Sequence, residues 1–354
     1  MKYEVLSLNG HFLETLYPIQ ATGKISDHRF CFRARGADWS FAVADENSNV
    51  SEPAAILAED QGFLISGSWN DYGEEHAIFD RAEKIILDCA KKYLEYAKLA
   101  PRKYQDRIVA FVDIIGFKAI VEKTVNDQAY FNRIIDSIAE IRDQFLKHPN
   151  SEFQKKARDL FYDPFVLPDY KTMVLQVSDS MVISKLANVH GALEALVLDI
   201  ALTIHILIKH GLLCKGCIEY GKVYHTDEYI IGPGYTAAYL GEEKEFMPAV
   251  SFSKEVYNLA IQKRSSSARV RDYFDNFVVP HTPDRSFIDY FNDLEGYIDV
   301  FERPQEHYGK LRRIIQDEYT RAKDYKIKAK YLWMIDRFNE SKIVRSGFIE
   351  PIHK

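Results

Sequence analysis

Two aspartates carry the chemistry that this chain can do. Asp113 closes the apolar run Arg107–Val112 (RIVAFV) and is followed by Ile114, Ile115, Gly116, Phe117 and Lys118. A carboxylate at the end of a buried strand is costly unless something pairs with it. Gly116 lets the backbone turn sharply into a helix. The amides of residues 115–118 would then lie at a helix N-terminus, where phosphate oxygens bind. On this motif alone, two roles stand for Asp113: helix N-cap and metal ligand. Asp179 lies in VLQVSDSMVIS, between two apolar stretches. Taken alone, Ser178-Asp179-Ser180 is ordinary hairpin-turn chemistry. Taken together, the two carboxylates suit an oxygen-rich site for two divalent cations, Mg²⁺ or Mn²⁺, with the Ile114 carbonyl as an extra ligand.

That pairing requires a particular order of elements. Arg107–Val112 reads as a strand. Lys118–Lys147 reads as a helix with Ile134, Ile135, Ile138, Ile141 and Phe145 on one face. A polar stretch punctuated by Pro149, Pro164 and Pro168 follows. Thr172–Val177 and Met181–Ser184 read as strands flanking the Ser-Asp-Ser turn. Ala192–His210 reads as a helix, Leu212–Tyr220 as a strand and Val223–Ile231 as a hairpin. This is β-α-β-β-α-β, the split order of ferredoxin-like and palm-type folds. In it, the end of the first strand lies beside the turn between the next two.

The fold class expected is α+β, with three regions. Residues 1–100 form a small α+β unit, with a hairpin over His28–Asp45, a strand over Gly62–Trp69 and an amphipathic helix from Glu75 to Leu99. Ala100-Pro101-Arg102-Lys103 makes a break. Residues 105–262 hold the domain described above. Residues 263–354 form a mostly helical extension, with helices around Tyr308–Arg321 and Ile327–Asn339. Phe30, Phe32, Trp39 and Phe41 read as core of the first unit.

The chain has 354 residues, 47% of them hydrophobic and 28% charged, enough for sizeable cores. A net charge of -6 argues against a nucleic-acid binder working through a broad basic face. Four scattered cysteines do not staple a chain of this length. MKYEVLSLNG does not read as a signal peptide. Glu194, Asp199, His205 and His210 interrupt the long apolar stretch Ala192–Leu213, which reads as a buried helix and not a membrane span. A cytoplasmic protein without a membrane partner is expected.

The motifs then resemble a known family. FVDIIGFK is similar to the first metal motif of class III nucleotide cyclases, and VSDSMVIS stands where their second metal aspartate stands. GLLCKGCIEYGKVYHTDEYIIGPGYTAAY looks like their strand, hairpin and following helix, and AVSFSKEVYNLA like their last strand and helix. Within that family the nearest resemblance is to the pyrimidine cyclases of bacterial Pycsar antiphage systems. It covers residues 105–262, with a weaker echo in FIDYF and KYLWMIDRFN. The resemblance implies conversion of UTP to 3′,5′-cyclic UMP, or of CTP to cyclic CMP, with release of pyrophosphate. It also implies a head-to-tail homodimer and a separate effector protein switched on by the cyclic nucleotide.

Purine cyclases read their base with a Lys or Glu four residues before the second metal aspartate, and that position is Leu175 here. Their second base-reading residue falls at about Tyr229. Their Asn and Arg that support the transition state fall near Thr236 and Leu240. Two readings follow: a pyrimidine substrate, or a domain that senses a nucleotide without turnover. Leu240-Gly241 departs from the subgroup's pattern and implies a shift of that helix.

Other signals are weaker. Cys214-Lys-Gly-Cys217 has a CxxC spacing, but on a strand its cysteines face opposite sides. Lys215 and Lys222 read as a solvated strand face, with phosphate contact as the alternative. Lys118 is a further phosphate candidate. His225 reads as a surface hairpin residue.

Overall fold

A computed structural model describes residues 3–9, 19–25, 28–44, 63–68, 78–99, 103–146, 172–226, 228–265, 268–292 and 303–354. The polar stretch with Pro149, Pro164 and Pro168, and the break at 100–102, lie outside them. The chain divides into two units, Met1–Lys103 and Tyr104–Lys354.

The first unit is an antiparallel five-stranded sheet in sequential order: β1 (Tyr3–Asn9), β2 (Ile19–Ile25), β3 (His28–Arg35), β4 (Asp38–Ala44) and β5 (Phe63–Ser68). The β3–β4 hairpin turns at Gly36-Ala37, as its alternating pattern predicts. Phe30, Phe32, Trp39 and Phe41 are core, packed with Ala82, Ile85, Ile86, Cys89 and Tyr93 of helix α1 (Ile78–Leu99).

The second unit begins with β6 (Gln105–Ile114), α2 (Phe117–Thr124), α3 (Gln128–Leu146), β7 (Met173–Val177), β8 (Ser180–Leu186), α4 (Ala192–Lys209) and β9 (Cys214–His225). Spatially the strands run β9-β6-β8-β7, all antiparallel, which is the split βαβ arrangement. β10 (Ile230–Ile231) pairs with the end of β9, and helix α5 (Pro233–Lys244) follows. β11 (Val250–Ser253) adds beside β9 in parallel and leads into α6 (Lys254–Gln262).

Three sequence expectations change here. The single helix over 118–147 is two helices, because the Asp127 carboxylate accepts the Tyr130 amide (2.9 Å) and caps a new start. Ile134 and Ile141 are buried, but Ile135 is 46% exposed and leaves the apolar face. The strand ending at Tyr220 instead continues to His225, paired with β6 along the whole length from Cys214 to Val223. In the stretch read as mostly helical, α7 (Ala268–Phe277) is followed by a hairpin, β12 (Val278–Thr282) and β13 (Arg285–Ile288), which extends the sheet past β11. Helices α8 (Pro304–Arg321), α9 (Tyr325–Glu340) and α10 (Lys342–Arg345) complete the unit.

The two faces of the sheet are used differently. Alternate residues of a strand point to opposite faces. Ile108, Ala110, Val112 and Ile114 join the main core with α4, whose residues are nearly all buried. Val109 and Phe111 pack on the other face with Val223 of β9 and Ala238 of α5. Asp113 continues that second row. No helix among the described residues is long and apolar enough to cross a membrane.

Helix α5 sits close on β9 because two glycines meet there. A Cβ on Gly221 would lie 2.7 Å from the Gly234 Cα, and one on Gly234 would lie 2.7 Å from Val223 Cγ2 and 3.1 Å from the Gly221 backbone. Gly234→Ala is therefore expected to destabilise the protein by about 1–3 kcal/mol through overpacking. Urea unfolding checks this, and an unchanged midpoint would show that α5 can lift without cost.

Candidate active site

The site forms where β6 ends. Asp113 is the penultimate residue of that strand. Its register partners are Ser180 on β8 and Lys215 on β9, so it sits between those two side chains on one face. The Ser180 hydroxyl donates to Asp113 Oδ1 at 2.8 Å. The Ile114 amide donates to the Asp179 carbonyl at 3.3 Å, which ties the β7–β8 turn to the end of β6. Asp113 and Asp179 are both half-buried.

The turn holds Asp179 through an unusual backbone. Ser178 has φ 57°, and it is the one non-glycine residue with positive φ among those described. That region disfavours residues with a Cβ, and such local strain clusters at functional sites.

After Asp113 the chain turns at Gly116 (φ 74°, ψ 21°) into α2. A Cβ there would meet nothing within 4 Å, so the left-handed backbone is what calls for glycine. The Ile120 amide donates to the Gly116 carbonyl (3.2 Å), which opens the helical ladder. The amides of Phe117, Lys118 and Ala119 precede that first bond and point out of the helix start. The Ile115 amide is already engaged: it donates to the Leu213 carbonyl at 2.8 Å. Lys118 is exposed, and Phe117 packs partly against the main core.

Electrostatics set Asp113 apart. Burial pushes its carboxyl pKa above the usual carboxylate value. The Ser180 hydrogen bond and the Lys215 charge oppose this, while the charges of Asp179 and Glu242 reinforce it. Glu242 is buried on α5 and ion-paired with Lys215, whose ammonium also donates to the Glu242 carbonyl at 3.4 Å. The surplus of carboxylates here is what a divalent cation would relieve. Two carboxylates plus backbone and substrate oxygens match the ligands that Mg²⁺ and Mn²⁺ take. Among the described residues, no three His, Cys, Asp or Glu side chains gather as a metal site of their own.

Lys215 and His225 stand differently from their expectations, whereas Lys222, Cys214 and Cys217 stand as expected. Lys215 is an ion-paired neighbour of Asp113, not a solvated strand residue. Lys222 is exposed and salt-bridged to Asp106 at 2.7 Å. His225 is not a surface residue: it is buried, with Nδ1 2.7 Å from the Ser184 hydroxyl, and Arg107 Nε donates to that same hydroxyl at 2.8 Å. Cys214 and Cys217 are free, buried and on opposite faces, and burial pushes both thiols up to about 12. Helix α5 runs unbroken through Leu240-Gly241 to Lys244. Leu175 is half-buried on β7, and Tyr229 lies beside Tyr224 with ring centroids 6.0 Å apart. The Thr236 hydroxyl donates back to the Gly232 carbonyl at 3.3 Å, and Leu240 is exposed.

Glu242 was missed in the sequence, though a signal was present. Gly234, Ala238 and Glu242 recur every four residues and form the buried stripe of α5. A carboxylate that continues such a stripe needs a cationic partner, and Lys215 supplies it.

No family model matches the chain, and no curated protein does. Solved structures of nucleotide cyclase domains are similar to it. The adenylyl cyclase CyaB from P. aeruginosa has 13% identity and a TM-score of 0.35, over 52% of this chain and 94% of that one. The dimeric guanylyl cyclase domain of the RhoGC fusion protein from the aquatic fungus Blastocladiella emersonii has 12% identity and a TM-score of 0.32, over 53% and 98%. A bacterial light-regulated adenylyl cyclase has 12% identity and a TM-score of 0.31, over 60% and 99%.

Proposed function

We propose that the second unit is a metal-dependent pyrimidine nucleotide cyclase that converts UTP to 3′,5′-cyclic UMP and pyrophosphate. One observation carries the reading. Asp113 and Asp179, 66 positions apart by number (179 minus 113), meet at the end of β6, tied by the Ile114 amide and flanked by Ser180 and Lys215.

The roles follow from position. Asp113, the Ile114 carbonyl and Asp179 would hold two Mg²⁺ or Mn²⁺ ions. When bound, these supply a lowered pKa for the ribose 3′-hydroxyl and charge neutralisation of the triphosphate. The amides of Gly116, Phe117 and Lys118 would cradle phosphate oxygens. Ile115 would shape the loop, because its own amide is spent on Leu213. Lys215 would face the phosphates from β9. In the reaction, the 3′-oxygen bonds to the α-phosphorus, the bond from that phosphorus to pyrophosphate breaks, and the hydroxyl proton leaves to solvent.

The pyrimidine assignment is supported by the apolar Leu175 and the aromatic Tyr229 where purine cyclases place polar base readers. CTP is the alternative substrate. The exposed apolar residues Tyr220, Tyr239, Leu240 and Phe246 on β9, α5 and the loop beyond support a homodimer as the active form. The product would then act as a cytoplasmic second messenger on a separate effector protein in antiphage defence.

The test is purified full-length protein with Mn²⁺ and each of the four nucleoside triphosphates, with products identified by mass spectrometry. Cyclic UMP is expected from UTP. Preferential turnover of ATP or GTP would defeat the pyrimidine assignment. Tight nucleotide binding with no pyrophosphate release would favour the sensing alternative, which the uncharged Thr236 and Leu240 motivate.

A further inference from the structure

Lys215 stands across the strand pair from Asp113. The two are register partners of β9 and β6, so their Cβ atoms lie roughly 4.5–5.5 Å apart on one face of the sheet. A lysine at that distance is a ready counter-ion for a half-buried aspartate. Yet among the described residues the Lys215 ammonium is ion-paired with Glu242 and not with Asp113. It also donates to the Glu242 main-chain carbonyl at 3.4 Å, so one residue holds it twice. The Ser180 hydroxyl is the one side-chain donor to Asp113 among the described residues.

Glu242 reaches Lys215 because α5 lies close on β9 at this point. It ends the buried stripe Gly234, Ala238, Glu242, and the residue before it is a glycine. A Cβ on Gly241 would lie 2.5 Å from the Cys217 sulfur, so a larger residue would push the helix off the strand. The sheet thus offers Lys215 two carboxylates, and the buried one on α5 takes it. That carboxylate needs the cation more, since a buried charge without a partner is strongly disfavoured. Without Glu242 the ammonium would turn to Asp113, and a metal ion would first have to displace it.

We propose, resting on the reading of Asp113 as a metal ligand, that Glu242 is a positioning residue: it captures the Lys215 ammonium and so keeps the Asp113 carboxylate open to a divalent cation. The plain alternative is that the Lys215–Glu242 pair only anchors α5 on β9.

Titration of Mn²⁺ into the full-length protein, with free Mn²⁺ read by electron paramagnetic resonance, separates the two without turnover. Wild type is expected to take up Mn²⁺, and Asp113→Asn is not. Glu242→Gln is expected to weaken uptake at least tenfold, because a charge-assisted pair between Lys215 and Asp113 must break first. In a Lys215→Met background the same change is expected to cost less than threefold, because no ammonium is left to compete. A Glu242 that acted on the metal only through its own charge would cost the same in both backgrounds. Lys215→Met alone is expected to bind at least as tightly as wild type, whereas loss of a mere anchor would weaken it as much as Glu242→Gln. Glu242→Asp, one methylene short of Lys215, serves if Glu242→Gln does not fold, with circular dichroism checking each variant. An equal or absent Glu242→Gln penalty in the two backgrounds, or weaker uptake by Lys215→Met than by wild type, would overturn the proposal and leave the metal site standing. No uptake by wild type, or undiminished uptake by Asp113→Asn, would overturn the metal site and this inference with it.

Discussion

Asp113→Asn is expected to abolish cyclic-nucleotide formation and, in the same protein without metal, to raise the melting temperature. The two effects share one cause. Asp113 is held where its charge is disfavoured, by burial first and by the neighbouring charges of Asp179 and Glu242. A carboxyl whose folded pKa lies above its unfolded value costs stability at every pH above that window, since the folded state must ionise it against its surroundings. Asparagine keeps an acceptor for the Ser180 hydroxyl, 2.8 Å away in the wild type, and removes the charge. The melting temperature should therefore rise in the absence of metal. Metal should reverse the ranking: Mn²⁺ should raise the melting temperature of wild type and leave the variant unmoved, by mass action on the folded state.

Activity should fall much further. Electrostatic stabilisation by a bound cation is worth several kcal/mol, and about 4 kcal/mol is roughly a thousandfold in rate. Product analysis with Mn²⁺ and the preferred nucleotide measures the loss, and scanning calorimetry with and without Mn²⁺ measures the stability. A variant retaining a tenth of wild-type turnover would remove Asp113 from the metal site. A variant that melts lower without metal would show Asp113 to be a structural cap.

Much of this site was legible in the chain because local rules and the global fold agree there. RIVAFV followed by Asp113 is a buried strand with a costly end, and Ser-Asp-Ser is a turn between apolar strands. The split βαβ order then makes their meeting a matter of topology. What stayed hidden depends on packing that no local pattern encodes. Lys215 looks like a solvated strand residue until α5 delivers Glu242 to it. His225 looks like a hairpin residue until β9 continues past Gly221 and carries it inside. Gly221 serves the close approach of Gly234, which no local pattern shows. The β12–β13 hairpin escaped because its short strands, four and five residues long, contain Pro280 and flank a polar turn.

Acid should weaken this protein well above the range in which carboxylates titrate, and two buried histidines are the reason. His225 and His307 are 2% and 1% exposed. Burial comes first in lowering each to about 3, from an ordinary 6.5, with Arg107 adding to the effect on His225 and the His205 and Lys310 charges to that on His307. His307 Nε2 lies 3.0 Å from His205 Nδ1, so a charge on His205 opposes one on His307. Between about pH 6.5 and 3 the unfolded chain binds protons on these residues that the folded chain does not, so stability is complete above that window and is lost as pH falls through it. At pH 5 each histidine has crossed about 1.5 units of its window, which at 1.36 kcal/mol per unit is roughly 2 kcal/mol. Two together remove about 4 kcal/mol, a large share of the 5–15 kcal/mol typical of a folded protein. Asp113 and Glu219 act in the opposite sense, because their raised values favour a proton in the folded state, but only nearer the carboxylate range. Glu140, lowered by its hydrogen bond to His210, adds to the loss there. Guanidinium unfolding at pH 7.5 and pH 5.0 measures the difference, and His225→Gln and His307→Gln should each remove about half of it. Equal stability at the two pH values would mean that the folded protein opens to protonate these histidines, and the buried network of Arg107, Ser184 and His225 would then be looser than its 2.7–2.8 Å contacts imply.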